Sequence, residues 1–241
     1  MQGDGHNTRG VAAPYRPVSV PLAAQAKPPT LRTHVRRAIA DLLPSTLLFR
    51  RGKTADRRVA LTFDDGPHEM TDAYLDVLDK FSARATFFVV GRECESRRDV
   101  VARIADRGHE LAGHGFTHKA FPKLDDAALR DELKRTAALL PPPQTARPLV
   151  RPPNGATSVR SLLGCARAGY VTVLWSLDSD DCRTAAPETV VERLSPARLT
   201  PGEIVLLHEG QSWTLEALPV ILDRLQRAGF QAVTVGDLLN G

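Results

Sequence analysis

Short apolar runs alternate with segments of helical periodicity from about residue 58 to the end of the chain. Seven of the runs are rich in β-branched, aromatic and other apolar residues, a composition typical of buried strands. Strands are predicted at Val59–Phe63, Ala85–Val90, His109–Ala112, Leu149–Arg151, Val171–Trp175, Ile204–Leu207 and Gln231–Val235. The helical periodicity predicts helices at residues 71–81, 97–107, 125–140, 157–168, 187–195 and 214–228.

Strands that alternate with helices predict an α/β fold with a parallel sheet and right-handed crossovers. Seven strands in a chain of 241 residues favour a single catalytic domain built as a closed or nearly closed barrel. A doubly wound open sheet is the alternative. In both architectures the chemistry belongs in the loops at the carboxyl ends of the strands, so the polar residues that follow each strand are the candidate site residues.

The first part of the chain lacks this rhythm. Residues 1–30 are rich in Pro, Gly, Ala and Gln without periodicity, which predicts a disordered or loosely attached arm. Residues 31–43 place apolar residues at helical spacing opposite a basic face, and Pro44 ends the pattern. Residues 31–56 are therefore predicted to form an amphipathic helix and a linker before a catalytic domain at 57–241. We expect the helix to pack on its own domain; a membrane surface is the alternative.

Composition excludes several classes of protein. The apolar fraction of 42% and charged fraction of 25% are ordinary for a globular domain, and a net charge of +4 with 5% aromatic residues argues against a nucleic-acid partner. No run of about 18 apolar residues predicts an integral membrane segment. Three cysteines without C-x-x-C spacing argue against a disulfide framework or a thiolate zinc site. We expect a monomer. Prolines interrupt the apolar stretches before residue 30, so no signal peptide is visible and the sequence favours the cytoplasm.

Two adjacent carboxylates, Asp64 and Asp65, follow the first predicted strand and precede the turn residues Gly66 and Pro67. Adjacent like charges disfavour each other's ionised form unless a cation lies near them. A polar turn is one interpretation of this stretch. The other is one metal ligand beside one general base, with the metal offsetting the repulsion between the carboxylates.

Two histidines, His114 and His118, follow the third predicted strand. Residues four apart share one face of a helical turn, so both rings are expected to reach one ligand. Two His with one carboxylate form a common catalytic metal set that leaves positions for water and substrate. Surface or capping histidines are the alternative, and the carboxylate pair at another strand end favours the metal site.

The later strand ends carry further candidates. Arg151 begins a rigid turn that runs through Pro153, Asn154 and Gly155, and its guanidinium suits a two-nitrogen contact with a carboxylate or a surface ion pair. Three acidic residues follow the fifth strand, and for at least one of them a solvated loop is the expected role; they are Asp178, Asp180 and Asp181. His208 follows the sixth predicted strand, and its residue type suits a general acid.

In this order the segments resemble the five motifs of the polysaccharide deacetylase family, the NodB-homology domain of carbohydrate esterase family four. The resemblance covers about residues 57–240. The five segments are Thr62–Gly66 for T-F-D-D-G, His114–His118 for H-[ST]-x-x-[HN], Arg151–Gly155 for R-x-P-x-G, Asp178–Cys182 for D-x-x-D-W and Leu206–His208 for L-x-H. Two positions depart from the family pattern, because Gly115 replaces a hydroxyl residue and Cys182 replaces a tryptophan.

The resemblance implies a distorted (β/α) barrel of seven or eight strands that removes acetyl groups from N-acetylated sugars, such as N-acetylglucosamine in a polysaccharide or oligosaccharide. It implies a divalent metal, most often Zn²⁺ with Co²⁺ or another ion as alternatives, on Asp65, His114 and His118. A metal-bound water would attack the amide carbonyl with Asp64 as base and His208 as acid. Arg151 would orient the base, and Asp181 would pair with His208.

The substrate and oxyanion side is expected to involve Pro153, Asn154, Gly155, Trp175 and Leu206. The family often acts on envelope polymers although no signal peptide is visible here, so the compartment stays open. Two other functions remain as alternatives. One is an amidohydrolase acting on a non-sugar amide or cyclic imide, and the other is a non-catalytic carbohydrate-binding relative.

Overall fold

The computed structural model describes residues 43–241, which form a sheet of nine parallel strands surrounded by helices. The strands are β1 (Leu48–Phe49), β2 (Arg58–Asp64), β3 (Thr86–Val89), β4 (Glu110–Gly113), β5 (Leu149–Val150), β6 (Val171–Val173), β7 (Leu177–Asp178), β8 (Ile204–His208) and β9 (Gln231–Val233). The helices are α1 (Thr71–Lys80), α2 (Gly91–Ser96), α3 (Arg98–Asp106), α4 (Asp126–Ala137), α5 (Val159–Arg167), α6 (Pro187–Arg193), α7 (Ser212–Arg227) and α8 (Val235–Asn240). In this part of the chain, the helices are too short or too polar to cross a bilayer.

The sheet curls into a distorted barrel. Its strand order is β1–β6–β5–β4–β3–β2–β8–β7, and β9 pairs with the first residues of β2. Only residues 174–176 separate β6 from β7, yet β6 pairs with β5 whereas β7 pairs with β8. This one segment therefore joins two strands that lie far apart in the strand order. The predicted α/β class and (β/α) barrel are confirmed.

The seven predicted strands and six predicted helices are present, and two strands and two helices are additional. The strands β1 and β7 have two residues each, too few to show an alternating pattern. The helices α2 and α8 have six residues each, less than two turns. The prediction that the last strand reaches Val235 is wrong. The Thr234 side chain accepts a hydrogen bond from the Asp237 N–H, and α8 begins at Val235.

The chain before residue 57 contributes to the sheet. Strand β1 pairs with β6, and the Gly52 N–H donates to the Gly202 carbonyl over 2.8 Å. Residues 48–52 thus lie in the sheet ahead of the expected domain start. The predicted arm at 1–30 and all of the predicted 31–43 helix except its last residue lie outside the described residues.

Alternation along β2 places polar residues inside the barrel. Val59, Leu61 and Phe63 belong to the large apolar cluster between the sheet and the helices, whereas Ala60 belongs to a second cluster on the other face. Because successive strand residues point to opposite faces, Thr62 and Asp64 share the face of Ala60. Asp64 ends β2 in register with His208, the last residue of β8. The carboxyl ends of these parallel strands therefore bring the candidate residues to one rim.

Candidate active site and metal centre

A buried ion pair joins the ends of β2 and β5. Nη1 of Arg151 lies 2.6 Å from Oδ1 of Asp64 and donates to Oγ1 of Thr62 over 2.8 Å. Arg151 is fully buried, and its guanidinium carbon lies 3.9 Å from the centre of the Phe88 ring. The contact with Asp64 uses one nitrogen, Nη1, which also donates to Thr62, rather than the two-nitrogen fork that the sequence suggested. Asp64 therefore has one oxygen held by Arg151, and Oδ2 is left for other contacts.

Three potential metal ligands converge beside this pair. Nε2 of His118 lies 3.0 Å from Oδ1 of Asp65, and Nε2 of His114 lies 3.4 Å from the same oxygen. One ligand atom from each residue lies within 4.8 Å of the other two. His114 is buried, whereas the Asp65 and His118 side chains are 45% and 36% exposed. The group is thus anchored on one side and open to solvent on the other.

The hydrogen bonds of His114 set the tautomer that a metal requires. Its Nδ1 lies 2.8 Å from the Arg151 carbonyl oxygen, which only accepts, so Nδ1 carries the proton. Nε2, which lies 3.4 Å from Oδ1 of Asp65, is therefore the nitrogen that a metal would bind. A backbone carbonyl that orients a ligating histidine in this way is common around protein metals.

The charges of Asp65, His114 and His118, which we call the triad, favour the binding of a cation. Burial alone would raise the pKa of Asp65, but hydrogen bonds and charges from His114 and His118 outweigh it and hold that pKa well below its usual range. The hydrogen bond to Asp65 raises the pKa of His118 against the opposing effect of burial. Asp65 is consequently ionised at neutral pH, the state in which a carboxylate binds metal. The donor set of one carboxylate and two imidazoles fits Zn²⁺ and similar ions.

The loop that carries the two histidines is irregular, so the predicted helical turn is wrong. Glu132 on α4 holds this loop by accepting from the Phe116 N–H over 2.5 Å and the Thr117 N–H over 2.8 Å. Gly115 has a φ of +77°, and a side chain there would approach the Glu132 carboxylate to 3.3 Å. Glu132 had no sequence signal, because it comes from a helix that follows the motif and makes its contacts through folding.

A second pair joins β8 to the loop after β7. Nδ1 of His208 lies 2.7 Å from Oδ1 of Asp181, and the His208 N–H donates to Oδ2 over 2.8 Å. Thr214 donates to the same Oδ2 over 3.0 Å, and Asp181 is fully buried. Burial alone would lower the pKa of His208, but the hydrogen bond and charge of Asp181 outweigh it, so the net shift is upward.

The other two acidic residues of this loop face arginines. Asp178 pairs with Arg183 over 2.9 Å, and Asp180 pairs with Arg193 over 3.2 Å. Arg183 also contacts Asp180. The solvated loop expected for at least one of the three is therefore not what the structure shows, because both side chains are ion-paired and only 21% exposed. Of the three, Asp181 pairs with His208.

Comparison with known proteins supports the assignment of the fold. A family model described as polysaccharide deacetylase matches residues 51–173, the part that carries the metal triad and the Asp64–Arg151 pair. A chitooligosaccharide deacetylase from Rhizobium leguminosarum bv. trifolii is 35% identical over 213 residues, covering 81% of this chain and 96% of the relative. The chain belongs to the polysaccharide deacetylase family.

Solved structures of the family share the barrel. The peptidoglycan N-acetylglucosamine deacetylase Bc1960 is 28% identical with a TM-score of 0.74, covering 80% of this chain and 92% of that one. A carbohydrate esterase family 4 pseudoenzyme from Bacillus anthracis is 27% identical with a TM-score of 0.73, covering 83% of this chain and 70% of that one. These relatives are named as deacetylases and, in one case, as a pseudoenzyme.

The residues expected on the substrate side of this polysaccharide deacetylase lie in two places. Pro153–Gly155 is a short 3-10 turn in which Pro153 is buried and Asn154 is exposed. The Trp175 ring covers Gly155, where an added Cβ would lie 2.6 Å from a ring atom. Leu206 is buried within β8, in register with Thr62 and Asp178. The turn and Trp175 therefore lie together, whereas Leu206 lies in the sheet.

A buried carboxyl group behind the first motif of this polysaccharide deacetylase was not predicted. Glu209 accepts a hydrogen bond from the Thr71 hydroxyl over 2.5 Å, and its Oε2 lies 1.4 Å from the position of a Cβ built on Gly66. Position 66 therefore has no space for a side chain. Burial, aided by the charge of Asp65, raises the pKa of Glu209 to about 8 against the hydrogen bond from Thr71. Glu209 is then mostly protonated at neutral pH.

This shift predicts a pH-dependent stability. Between pH 4.5 and about 8 the unfolded chain releases the Glu209 proton while the folded chain keeps it. The free energy of unfolding should therefore fall as pH rises through this window, by an amount on the order of 5 kcal/mol. Glu209→Gln should remove that dependence and gain stability over the wild type as pH rises. Urea unfolding of the metal-free proteins at several pH values measures this free energy, and Glu216→Gln, at an exposed position, is the control. If the free energy of unfolding changes with pH in the same way in the wild type and in Glu209→Gln, Glu209 is not a buried neutral carboxyl group.

Proposed function

We propose that the chain is a metal-dependent deacetylase that removes acetyl groups from N-acetylated sugars in a polysaccharide or oligosaccharide. The observation that carries the proposal is the convergence of Asp65, His114 and His118 beside the buried Asp64–Arg151 pair. The names of relatives, a chitooligosaccharide deacetylase and a peptidoglycan N-acetylglucosamine deacetylase, support N-acetylglucosamine as the sugar.

The triad would hold the cation through one Asp65 oxygen and Nε2 of both histidines. When bound, a divalent cation supplies Lewis-acid polarisation of the amide carbonyl and lowers the pKa of a water molecule. Zn²⁺ suits one carboxylate and two imidazoles, and Co²⁺ or another divalent ion is the alternative. Because one side of the triad is exposed, a glycan has access to it.

Asp64 accepts the proton of the attacking water. Its Oδ1 is held by Arg151, and its Oδ2 lies 3.7 Å from Nε2 of His114, on the side of the metal ligands. Arg151 stabilises the carboxylate form of Asp64 and fixes which oxygen faces the substrate. The pair thus presents Oδ2 as the basic atom.

His208 gives a proton to the leaving amine. Its Nδ1 is held by Asp181, so Nε2 is the nitrogen left to donate. Asp181 stabilises the imidazolium that this step needs, and it fixes the ring orientation. The Asn154 N–H in the turn after β5 is the backbone donor we assign to the developing oxyanion.

Asp181→Asn tests the positioning of the acid. Removing the carboxylate charge lowers the pKa of His208, so the imidazolium is lost at a lower pH. The alkaline limb of the kcat–pH profile is expected to move to lower pH. Thr214→Val, which removes a hydrogen bond from Asp181 but no charge, is the matched control. If the alkaline limb does not move in Asp181→Asn, Asp181 does not support His208 as the proton donor.

The test of the function is acetate release from a panel of N-acetylglucosamine oligosaccharides, peptidoglycan glycan strands and cyclic imides. We expect acetate from the glycans. Imide hydrolysis without acetate would favour an amidohydrolase on a non-sugar substrate. The pseudoenzyme among the solved relatives supports a non-catalytic carbohydrate-binding protein as second candidate. Glycan binding without turnover under several divalent metals would favour that candidate.

A further inference from the structure

A second group of metal-ligating side chains lies outside the triad. Asp181, Cys182 and His208 each offer a ligand atom, and these atoms lie within 4.8 Å of one another. Asp181 is fully buried and fixed by His208 and Thr214, whereas Cys182 is exposed. One rigid oxygen, one imidazole and one solvent-facing thiol thus share a small volume. We call these three residues the thiol cluster.

We propose that the thiol cluster binds a second, thiophilic divalent cation of the Zn²⁺ or Cd²⁺ class and thereby blocks the proton donor His208. The proposal deepens the function proposed above and rests on it for the inhibition, but the binding itself does not.

The geometry suits such an ion. Zinc bonds of about 2.0–2.3 Å in a tetrahedral arrangement separate neighbouring ligand atoms by about 3.3–3.6 Å. The cluster atoms lie within 4.8 Å of one another, and Nδ1 of His208 and Oδ1 of Asp181 are 2.7 Å apart across a shared proton. A cation that replaces this proton needs the pair to open by less than about 1 Å. The exposed Cys182 side chain then supplies the third ligand.

Binding requires two protons to leave. The thiol releases one as it becomes a thiolate ligand, and the imidazolium releases the one on Nδ1, which leaves a neutral ring protonated at Nε2. Burial, with the charges of Asp181 and Asp178, raises the pKa of Cys182 against the charge of Arg183. The free thiol is therefore protonated at neutral pH, and the site should fill more readily as pH rises.

Softness separates the thiol cluster from the triad. The triad offers oxygen and nitrogen only, whereas the thiol cluster adds a thiolate, which favours softer cations such as Cd²⁺. A cation bound to the thiol cluster replaces the proton on Nδ1 of His208, so the ring loses its positive charge and Nδ1 becomes a metal ligand. Excess thiophilic cation should therefore stop acetate release while the triad keeps its own metal.

The test is a Cd²⁺ titration of the full chain carrying one equivalent of Zn²⁺. Ultraviolet thiolate-to-cadmium absorption and equilibrium dialysis measure binding, and acetate release is followed in parallel. The wild type should bind one additional cation with the absorption band and lose activity as the band grows. Cys182→Ser should lack the band, keep its activity and need at least about 100-fold more Cd²⁺ for inhibition. Cys165→Ala, which removes a buried thiol elsewhere, should behave as the wild type.

The two proposals can fail separately. Equal band intensity or equal inhibition in Cys182→Ser and the wild type would overturn the thiol cluster as a cation site, whatever the enzyme does. If neither the wild type nor the variants release acetate, the proposed function fails. The absorption band in the wild type and its absence in Cys182→Ser then still show whether the thiol cluster binds the cation.

Discussion

Asp64→Asn is expected to lower the rate of acetate release by about 10²–10⁴-fold while the metal content stays at one equivalent. The amide keeps the size of the side chain but cannot take a proton from water. Asp64 is not one of the three converging ligands, so metal binding should survive. The measurement pairs initial rates with metal analysis of the same protein sample.

Asp65→Asn is the matched exchange next to it. Because Asp65 lies 3.0 Å from His118 and 3.4 Å from His114, its loss should remove the metal together with the activity. Thermal unfolding checks that each variant is folded, since Asp64→Asn leaves Arg151 without its counter-ion. A folded, metal-loaded Asp64→Asn protein within about tenfold of the wild-type rate would contradict a base role.

Arg151→Met is expected to lower the free energy of unfolding strongly. It leaves the buried Asp64 carboxylate without its cation, and breaking a buried pair in this way costs about 3–5 kcal/mol. Denaturant unfolding measures this loss of stability.

A double variant separates the charge from the shape. Asp64→Leu with Arg151→Met removes both charges, and replacement of a buried pair by apolar residues is often neutral or stabilising. The double variant should therefore be more stable than Arg151→Met alone. Arg183→Met, which removes a guanidinium that is 59% exposed and pairs with Asp178 and Asp180, should cost less than Arg151→Met. A double variant no more stable than Arg151→Met would show that the buried charge is not the source of the loss.

The strand pattern predicts most of the rim, for a physical reason. In a parallel barrel the carboxyl ends of the strands meet at one edge, so polar residues directly after apolar runs are brought together. Asp64, His114, Arg151 and His208 all follow this rule, although they are far apart in sequence. The alternation of strands and helices implies the parallel strand direction that brings them to one rim, whereas the register that pairs them is seen only in the structure.

Contacts between segments far apart in sequence leave no such pattern. Glu132 supports the histidine loop from α4. Glu209 directly follows β8, but its contact with Thr71 and its place above Gly66 are set by the fold. Both contacts depend on distances between segments that no local periodicity encodes. The histidine loop itself was expected to be a helical turn. A spacing of four residues places two side chains on one face only when the backbone is helical, and this backbone is irregular.

Residue 182, where the fourth family motif usually has a tryptophan, is another place where the fold adds a contact that the sequence pattern does not predict. Cys182 is exposed beside Asp181, and the indole of Trp213 donates to the Asp181 carbonyl oxygen over 2.8 Å. An aromatic ring therefore lies against this loop from α7. The sequence shows the loss of the ring at 182, but only the fold brings Trp213 to the loop.

The most direct test of the account is the metal dependence of acetate release from an N-acetylglucosamine oligosaccharide. The protein is stripped with a chelator, dialysed, and then given one equivalent of Zn²⁺, an amount that fills the triad without excess. The account predicts that stripping lowers the rate by at least about 100-fold and that one equivalent restores it in the wild type but not in His114→Ala. A metal-free protein that keeps its rate of acetate release would contradict it.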